Sequence, residues 1–332
     1  EKAGVSIDRK SDALGALVSE LIYRREGKGQ NVRKTGLFTS LIDYGDEYLT
    51  LATDGVGSKL IVAQALEKWD TVGIDCVAMN VNDTICVNSE PMAFVDYVAI
   101  RDPDPNVARA IGVGLNKGAE MSNMDIVGGE IAVLPEIVKT NDLSGTCLGR
   151  VKKEDVITGE NCEADDLIVA LKSSGIHSNG LTLARKVFEN AGFGLMEKAP
   201  GLKGTVGECL LTPTEIYVKQ ILDITSKFTV HGLVNITGGG LRNLLRMKEG
   251  LHYIIDDPMP PCDIFNVIQK LGNVATGEMY QTFNMGMGFM IVAPSLDAES
   301  IVREYDNAQV VGRVEKGTGV LYEPENIVYE RY

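Results

Sequence analysis

The sequence predicts a mixed α/β (α+β) protein with two domains. Apolar residues recur at helical spacing in some stretches and alternate in others, so helices and strands intermix in both halves of the chain. The chain has 332 residues, which favours two domains at about 150 residues each. A new set of elements starts near residue 155. We therefore predict domains over 1–155 and 156–332.

The elements of the first half follow from the spacing of its apolar residues. Residues 11–25 place Leu14, Leu17 and Leu21 on one side of an amphipathic helix, and the polar, glycine-bearing stretch 25–36 predicts a loop. The remaining stretches show either strand-like alternation or helical spacing. They predict strands at 47–53, 91–100, 124–130 and 143–151, and helices at 59–69, 73–89 and 105–122.

The second half continues the same intermixing of elements. A strand and turn at 165–175 lead into a helix, and the pair Thr212-Pro213 predicts the start of another helix, since proline is favoured in a first turn. The strand within 233–240 ends in three glycines. Further helices are predicted at 180–191, 213–226, 263–271, 276–284 and 297–305, with a strand at 287–293 and two strands at the end of the chain.

Charge and cysteine content exclude several classes of partner. Lys and Arg total 32 against 46 Asp and Glu, a net charge of −14, which argues against nucleic acid or an anionic membrane as the main partner. No run approaches the ~18 apolar residues of a membrane span, and the opening EKAGVSIDRKSD predicts no signal peptide. The six cysteines form no CxxC pair and only three histidines accompany them. We expect buried thiols, no zinc site and a cytoplasmic protein.

The common nucleotide and nucleophile motifs do not occur in the sequence. GxxxxGK[ST], GxGxxG and GxSxG find no match, so a P-loop, a dinucleotide fingerprint and a nucleophile elbow are excluded. The remaining candidates are clusters of acids, glycines and small polar residues.

The segment TDGVGSK, Thr53 to Lys59, is the first candidate. Gly55 and Gly57 free the backbone after a predicted strand, and N–H groups in such a turn can face phosphate oxygens. Lys59 adds a positive charge, and Asp54 can hold a cation or a water. An ordinary strand-to-helix turn with a capping aspartate explains the same residues equally well.

Acidic residues further along the chain indicate a metal site. Asn82 and Asp83 come seven and eight residues after Asp75, which is about two helical turns, so the three share one helix face. Asp and Asn are poor helix formers, and their concentration there favours a site over an ordinary solvated face. The strand IVGGE then delivers Glu130 after two glycines. Carboxylates without His or Cys suit Mg²⁺ bound together with phosphates, if Asp54, Asp83 and Glu130 converge.

Two polar loops in the second half are candidates for substrate contact. SSGIHSNG, residues 173–180, concentrates hydroxyl, imidazole and amide groups, and His177 can carry a proton or contact a phosphate. NITGGG, residues 235–240, is another glycine turn, although simple helix entry explains it as well. The Met and Phe residues of EMYQTFNMGMG, 278–288, indicate core instead of a site.

The motifs together resemble one family, the phosphoribosylformylglycinamidine cyclo-ligases, or aminoimidazole ribonucleotide (AIR) synthetases. The resemblance runs from residue 3 past residue 288 and rests on nine segments in the family's order and approximate spacing. These are TDGVGSK, GIDCVAMNVND, SEPMAFVDY, GGE, DLSG, SSGIHSNG, LLTPTEIY, ITGGG and EMYQTFNMG.

The resemblance implies a fold and a reaction. Family members have two α/β domains, and the N-terminal domains of two subunits pair into a shared β-barrel, so a homodimer is expected. ATP would phosphorylate the formyl amide oxygen of formylglycinamidine ribonucleotide. The amidine nitrogen would then attack the iminophosphate carbon and release phosphate, which closes the imidazole ring. Transfer of this kind depends mainly on positioning and charge stabilisation.

The resemblance also implies roles for individual residues. Asp54, Asp83 and Glu130 would hold Mg²⁺, and a loop around Lys28 and Lys34 would close over ATP. Gly55, Gly57 and Lys59 would touch phosphates, and Lys59 and His177 would be catalytic. The ATP site would comprise Asp54, Gly55, Gly57, Lys59, Asp75, Asn82, Asp83, Gly128, Gly129 and Glu130, and the substrate site Ser174, Gly175, His177, Ser178, Asn179, Thr237 and Gly238.

The sequence departs from the family pattern at a few positions. GGETAEMP of the family reads GGEIAVLP here, so Ile131 replaces a hydroxyl and Val133 replaces an acid. Asn235 stands where the family's ITGGG segment is preceded by His. The family's GGFG near the N-terminus is represented by RKTGLF. These changes affect the expected metal shell and any role of position 235.

Other activities compete with ring closure. Selenophosphate synthetase, of the same superfamily, is disfavoured because no reactive Cys precedes Asp54. The superfamily's hydrogenase-maturation ATPase is disfavoured because the chain ends in YERY, without a terminal Cys. Formylglycinamidine synthetase needs an amidotransferase part for which 332 residues leave no room. Thiamine-monophosphate kinase activity and a non-catalytic nucleotide-binding module stay open as alternatives.

Overall fold

The computed structural model describes residues 7–32 and 36–331, with side chains described from residue 13 onward. Its N-terminal half contains four helices among these residues, α1 (Ile7–Glu20), α2 (Lys59–Ala65), α3 (Val72–Thr84) and α4 (Pro105–Ser122). A 3₁₀ turn, Ile85–Val87, continues α3. The strands are β1 (Asn31–Val32), β2 (Ser40–Tyr44), β3 (Glu47–Gly55), β4 (Glu90–Ile100), β5 (Asp125–Val133) and β6 (Asp142–Lys152).

These six strands form one sheet with the order β1-β2-β3-β6-β4-β5. Neighbouring strands are antiparallel except β4 and β5, which run parallel because α4 carries the chain back between them. The Asp104 side chain caps α4 by accepting a hydrogen bond from the Asn106 amide, and Asn123 ends it in the left-handed conformation. Helix α3 packs between α4 and strands β3 and β6.

The C-terminal half forms a second mixed domain. Its described helices are α5 (Leu181–Asn190), α6 (Val206–Leu210), α7 (Val218–Lys227), α8 (Asp263–Gly272), α9 (Thr276–Thr282) and α10 (Ser295–Glu304), with 3₁₀ turns at Gly240–Arg246 and Glu323–Glu325. Its strands are β7 (Leu167–Lys172), β8 (Gly232–Asn235), β9 (Leu251–Ile255), β10 (Met287–Ala293), β11 (Ala308–Lys316), β12 (Gly319–Tyr322) and β13 (Ile327–Tyr329).

The second sheet has the order β13-β12-β9-β11-β7-β10-β8. Its pairs are antiparallel except β9 and β12. Every residue of β10 is buried, which explains why its sequence is continuously apolar instead of alternating. Buried apolar residues of both domains form one continuous core. Within the described chain, no helix combines the length and apolar character that crossing a bilayer requires.

Helix α1 differs from its prediction. It ends at Glu20 instead of continuing to residue 25. Its apolar side is exposed, and Ile22 just beyond the helix is 80% exposed. The periodicity correctly indicated an amphipathic helix, but no described part of the chain covers its apolar side.

Helix α7 begins at Val218, five residues later than predicted. The Thr214 amide donates a hydrogen bond of 2.8 Å to the Asp75 carboxylate, and the Tyr217 amide donates one of 3.1 Å to the Asn82 side chain. The amides of Thr214 and Tyr217 thus bond to α3 instead of forming a helical turn. The Pro213 signal was read as a helix start, whereas it opens a segment held by contacts with the other domain.

Candidate functional site

The polar face of α3 lies at the boundary between the two domains. Asp75 is 0% exposed and Asn82 is 1% exposed, so neither residue lies on a solvated helix face. Asp75 accepts a hydrogen bond from the Thr214 amide of the C-terminal domain. Asn82 donates to the Glu215 carbonyl oxygen and accepts from the Tyr217 amide. Asp83 is the more open member of the face. The concentration of Asp and Asn that marked this helix therefore reflects an interdomain contact as well as a site.

Asp75 is the centre of this contact. Its Oδ1 accepts hydrogen bonds from the Thr214 amide at 2.8 Å, the Thr214 hydroxyl at 2.6 Å and the Ser178 hydroxyl at 3.3 Å. The Lys59 ammonium lies 2.8 Å from the same oxygen. The second oxygen, Oδ2, is buried without a hydrogen-bond partner among the described residues. A buried carboxylate needs such partners, since burying an unpaired charge is costly.

Lys59 is enclosed, with no exposed side-chain surface. Besides Asp75, its ammonium donates to the Thr212 carbonyl oxygen at 2.6 Å. Burial lowers the pKa of Lys59, and the Asp75 carboxylate opposes that shift. The direct phosphate contact expected for Lys59 is not part of this geometry, because the side chain turns inward from the glycine turn and bonds across the domain boundary.

The other end of α3 also contacts the C-terminal domain. The Asn82 amide donates to the Glu215 carbonyl oxygen at 2.8 Å. The Asn235 amide donates to Asp83 Oδ1 at 2.8 Å. Asn235, the residue that departs from the family pattern, thus touches an expected metal ligand. Burial, with repulsion from Asp54, raises the pKa of Asp83 to about 7, although the Asn235 hydrogen bond lowers it.

The glycine turn lies beside this face of α3. Asp54 is exposed at the end of β3, and the Asn80 amide of α3 donates to its carbonyl oxygen at 3.3 Å. Gly57 has φ +68°, and no atom of the described residues lies within 4 Å of a Cβ there, so backbone conformation, not crowding, requires glycine. Asp54 and Asp83 interact electrostatically. The structure therefore brings together two of the three acids expected to bind metal.

Glu130 lies elsewhere within the same chain. Gly55 pairs in register with Ser144, Ser144 with Tyr97, and Tyr97 with Glu130, on successive strands. Gly55 and Glu130 are therefore three strand spacings apart, about 14 Å across the sheet. Gly129, the residue before Glu130, faces Asp96, since a Cβ there would lie 2.6 Å from Asp96 Oδ1. Because successive residues of a strand point to opposite faces, Glu130 lies on the other face of the sheet. The expected convergence of Glu130 with Asp54 and Asp83 does not occur in one chain. Gly128 and Gly129 lie on the same exposed strand.

Asp96 is an acid that the sequence reasoning missed. It pairs in register with Gly145, which pairs in turn with Asp54, so the two aspartates face the same side of the sheet. Burial raises the pKa of Asp96. The alternation of the strand could have identified it. Asp96 lies two residues from both Phe94 and Val98, so it points to the same, buried face of the sheet.

The loop 173–180 lies against the segment 212–214. The Ser174 hydroxyl donates to the Pro213 carbonyl oxygen at 2.6 Å, and the Ser178 and Thr214 hydroxyls are 3.2 Å apart. Asn284 holds the loop from behind, donating to the Gly175 carbonyl oxygen at 2.9 Å. The segment 278–288 was correctly predicted as core, but this amide is a polar support that the prediction overlooked.

His177 is buried and has φ +59°, a strained backbone conformation for a residue with a side chain. Its Nε2 has no hydrogen-bond partner among the described residues. Burial and the Lys59 charge lower the pKa of His177 to about 3. The imidazole is therefore neutral near pH 7, which favours a hydrogen-bonding role over the proton-carrier role considered from the sequence.

The glycine turn after β8 approaches the same loop. A Cβ on Gly238 would lie 3.0 Å from Asn179 Oδ1. Gly238 is exposed and Thr237 is half-buried, with the Thr237 hydroxyl 3.4 Å from Asn243 Oδ1. The structure thus brings the two predicted substrate segments together.

Arg246 is a second residue that the sequence reasoning missed. Its guanidinium lies 4.3 Å from the centre of the Phe38 ring of the N-terminal domain, and its charge acts on Asp83. A single arginine in a 3₁₀ turn gives no signal in the sequence. Lys28 packs its ammonium 3.8 Å from the Tyr44 ring, and Lys34 lies outside the described residues.

The donor set at this boundary fits a hard cation. Asp54 and Asp83 supply carboxylate oxygens, and burial together with the negative charge of Asp54 raises the pKa of Asp83, so a bound cation would favour its charged form. Mg²⁺ is usually held by one or two carboxylates together with phosphate oxygens and water. The residues present therefore suit a magnesium–nucleotide complex.

The fold and site define a class of protein: two mixed α/β domains with acids, glycine turns and polar loops that face one another across their boundary, without a P-loop. Residues 39–151 match the family described as AIR synthase related protein, N-terminal domain, and residues 163–322 match its C-terminal domain. The chain belongs to the AIR synthase related family.

Curated relatives are similar over nearly their full length. A phosphoribosylformylglycinamidine cyclo-ligase of Methanocaldococcus jannaschii is 48% identical over 94% of this chain and 91% of its own. Proteins of the same name from Methanococcoides burtonii and Thermoplasma volcanium are 47% and 46% identical, each covered to at least 93%.

Solved structures resemble the chain at much lower identity. A structure titled AaThiL complexed with AMPPCP and TMP superposes with a TM-score of 0.66 at 17% identity, covering 96% of both chains. E. coli HypE gives a TM-score of 0.63 at 15% identity, covering 86% of this chain and 85% of its own. At these identities the likeness shows the fold alone, and it confirms the predicted two-domain α/β class.

Proposed function

We propose that this protein is an ATP-dependent ligase that closes the imidazole ring of aminoimidazole ribonucleotide from formylglycinamidine ribonucleotide, a step of purine biosynthesis. The observation that carries the proposal is 45–48% identity to proteins named phosphoribosylformylglycinamidine cyclo-ligase over 94–96% of the chain. The arrangement of acids and polar loops at the domain boundary supports it.

The chemistry requires activation of an amide oxygen. The γ-phosphoryl group of ATP is transferred to the formyl oxygen, the amidine nitrogen attacks the activated carbon, and phosphate leaves with that oxygen. Since phosphoryl transfer of this kind needs positioning and charge stabilisation, the protein requires no nucleophile of its own. The polar loops supply hydrogen bonds that orient the two reacting ends.

The nucleotide would bind beside α3 and the glycine turn. Asp54 and Asp83 would hold Mg²⁺, which neutralises phosphate charge when bound. Gly55 and Gly57 would let backbone amides approach phosphate oxygens. Asp96 lies on the same face of the sheet as Asp54, and we add it to the acids of this site.

The substrate would bind on the C-terminal side of the boundary. The loop 173–180 and the turn 235–240 present hydroxyl, amide and backbone groups close to each other. His177 would act as a neutral imidazole. The substrate contacts proposed on these two segments are Ser174, Gly175, His177, Ser178, Asn179, Thr237 and Gly238.

We propose a homodimer formed through the edge of the first sheet. Strand β5 is a nine-residue edge strand, exposed at almost every position, and edges of this kind are ready to pair with another chain. The neighbouring outer face also exposes apolar side chains, and no described segment covers it. Pairing of two copies would bury Leu51, Val95 and Tyr97 on the outer face and the exposed Val127 of the edge strand. Glu130 would then belong to an interface region.

We also propose a cytoplasmic location for the protein and a position for its domain boundary. All six cysteines are free thiols, which supports a cytoplasmic location. We propose the domain boundary near residue 155, between the end of β6 and the start of β7.

The direct test is ADP release from Mg-ATP with and without formylglycinamidine ribonucleotide, with the product followed by mass. We expect substrate-dependent ADP and a product lighter than the substrate by one water. Asp306→Asn is a matched control for acid substitutions, since Asp306 is an exposed acid of the C-terminal domain. ATP binding without ADP release would contradict the enzymatic proposal. ADP release driven by thiamine monophosphate instead would favour the kinase alternative.

A further inference from the structure

The buried ion pair of Lys59 and Asp75 joins the two halves of the site. We call the group Lys59, Asp75, Ser178, Thr212 and Thr214 the Asp75 junction. Lys59 and Asp75 belong to the N-terminal domain, and the other three belong to the C-terminal domain. Five contacts of 2.6 to 3.3 Å connect them.

We infer that the Asp75 junction is a positioning device that sets the substrate loop 173–180 against the nucleotide side of the boundary. The inference rests on the proposed function. Lys59 acts in it through Asp75 and Thr212 and does not contact phosphate.

The first support is the direction of the contacts. Lys59 donates to the Thr212 carbonyl oxygen, while the amide and hydroxyl of Thr214 donate to Asp75. The pair therefore holds the segment 212–214 at both ends. That segment in turn accepts from Ser174 through the Pro213 carbonyl oxygen and lies 3.2 Å from the Ser178 hydroxyl.

The second support is burial. Both side chains of the ion pair have 0% exposed surface. Hydrogen bonds to a buried charge are strong and directional, and losing one donor leaves part of the charge unsatisfied. A shift of the segment 212–214 is therefore resisted, and the loop that bonds to it stays in register with α3.

The third support is the glycine motif. Lys59 stands two residues after Gly57 and begins α2, so its inward direction ties the glycine turn to Thr212. The junction thus connects the three segments TDGVGSK, SSGIHSNG and LLTPTEIY, which the sequence places far apart.

The test uses Thr214→Val, which removes the hydroxyl donor and keeps the backbone amide. We expect kcat/KM for formylglycinamidine ribonucleotide to fall by about tenfold or more, while the Kd for Mg-ATP stays within about twofold. Thr214→Ser restores a hydroxyl and should recover kcat/KM, which a purely structural effect of volume would not do. Thr182→Val is the matched control, because it removes a hydroxyl that lies 3.2 Å from Ser58 across the same boundary.

A second variant distinguishes a role of Lys59 in the Asp75 junction from a role in binding phosphate. Lys59→Met combined with Asp75→Leu replaces both charges with apolar side chains, which avoids leaving one buried charge alone. We expect unchanged Mg-ATP affinity and the same loss of kcat/KM. A roughly tenfold or larger rise in the Kd for Mg-ATP would overturn the inference and assign Lys59 to the phosphates. A loss of thermal stability in Thr214→Val with normal kcat/KM would reduce the junction to a structural contact.

Hydrogen–deuterium exchange keeps the inference separate from the proposed reaction. If the parent protein fails to turn over formylglycinamidine ribonucleotide, the proposed function fails. The junction is then judged by exchange at 173–180, which should be faster in Thr214→Val than in Thr182→Val. Equal exchange in the two variants would overturn the inference.

Discussion

Asp83 shows how one residue links the proposed metal site to the other domain. Its carboxylate accepts a hydrogen bond from Asn235, and burial raises its pKa to about 7. A carboxyl whose pKa is raised on folding favours the protonated folded state, so its contribution to stability is lost as the pH rises from about 4 towards 7. The charged carboxylate that the proposed metal binding requires is therefore unfavourable for stability.

We predict that Asp83→Asn weakens Mg-ATP binding by at least about tenfold while the fold is kept. Asparagine retains the oxygen that accepts from Asn235 but cannot bind metal as a carboxylate. Because it also removes the unfavourable buried charge, stability above pH 7 should be equal or higher. Calorimetric ATP titration at fixed Mg²⁺ and thermal unfolding at pH 6 and pH 8 measure the two effects. Normal Mg-ATP use with a large loss of thermal stability would make Asp83 structural.

His177 gives a prediction about acid stability. Its pKa is lowered to about 3 in the folded protein by burial and by Lys59, against about 6.5 in an unfolded chain. The unfolded state binds more protons between these values, so stability falls as the pH drops below about 6.5.

His177→Asn should make that pH dependence shallower. Asparagine tolerates the left-handed backbone at this position and has no titrating group. The parent's free energy of unfolding should decline more steeply on acidification than the variant's, by up to about 1.4 kcal/mol per pH unit. Urea unfolding between pH 6.5 and 4.5 measures the difference. Parallel curves would show that His177 is not held neutral by the fold.

At the scale of elements, glycine sets the distance between helices α3 and α4. A Cβ on Gly73 would lie 2.2 Å from the Leu115 nitrogen and 2.5 Å from the Ile111 carbonyl oxygen. Both atoms are backbone, so neither can rotate away. This close approach holds α3 at the depth that places its polar face on the domain boundary.

Gly73→Ala should therefore destabilise the protein, by about 2 kcal/mol or more, because α3 and α4 would have to separate. Gly112→Ala is the matched control on α4, since nothing lies within 4 Å of a Cβ there. It should stabilise by up to about 1 kcal/mol through helix propensity. Urea unfolding of both variants gives the comparison. Equal effects would show that the helix contact is not limiting.

At the scale of the whole molecule, no strand of the described residues pairs with the outer side of β5 in the first sheet. Val127 on this strand is 64% exposed. In the proposed dimer it lies at or near the contact between copies, where a charge is unfavourable.

Val127→Lys should shift the protein from dimer to monomer at micromolar concentration. Val328→Lys is the control, because Val328 is 49% exposed on β13, the edge strand of the other sheet. Sedimentation velocity measures both variants and the parent. A monomeric parent, or a dimer unchanged by Val127→Lys, would contradict pairing through β5.

The sequence by itself determined the class of fold, the family resemblance and most of the elements. Helix α4 at residues 105–122 and strand β4 at 91–100 were recognised nearly to the residue, because the spacing of apolar residues is a local signal. The segments of the site were also found, since glycine turns and clusters of Asp and Asn are unusual within short stretches.

Only the tertiary structure decided which of these segments meet and what each side chain does there. It brought Asp83 to Asn235 and Lys59 to Thr212, and it placed Glu130 on the other face of the sheet from Asp96. It also showed that the helix predicted from residue 213 begins at Val218, because the amides of Thr214 and Tyr217 bond to α3. The reason is physical: local sequence determines backbone preference, whereas partners more than 100 residues apart are selected by packing and by the need to satisfy buried polar groups.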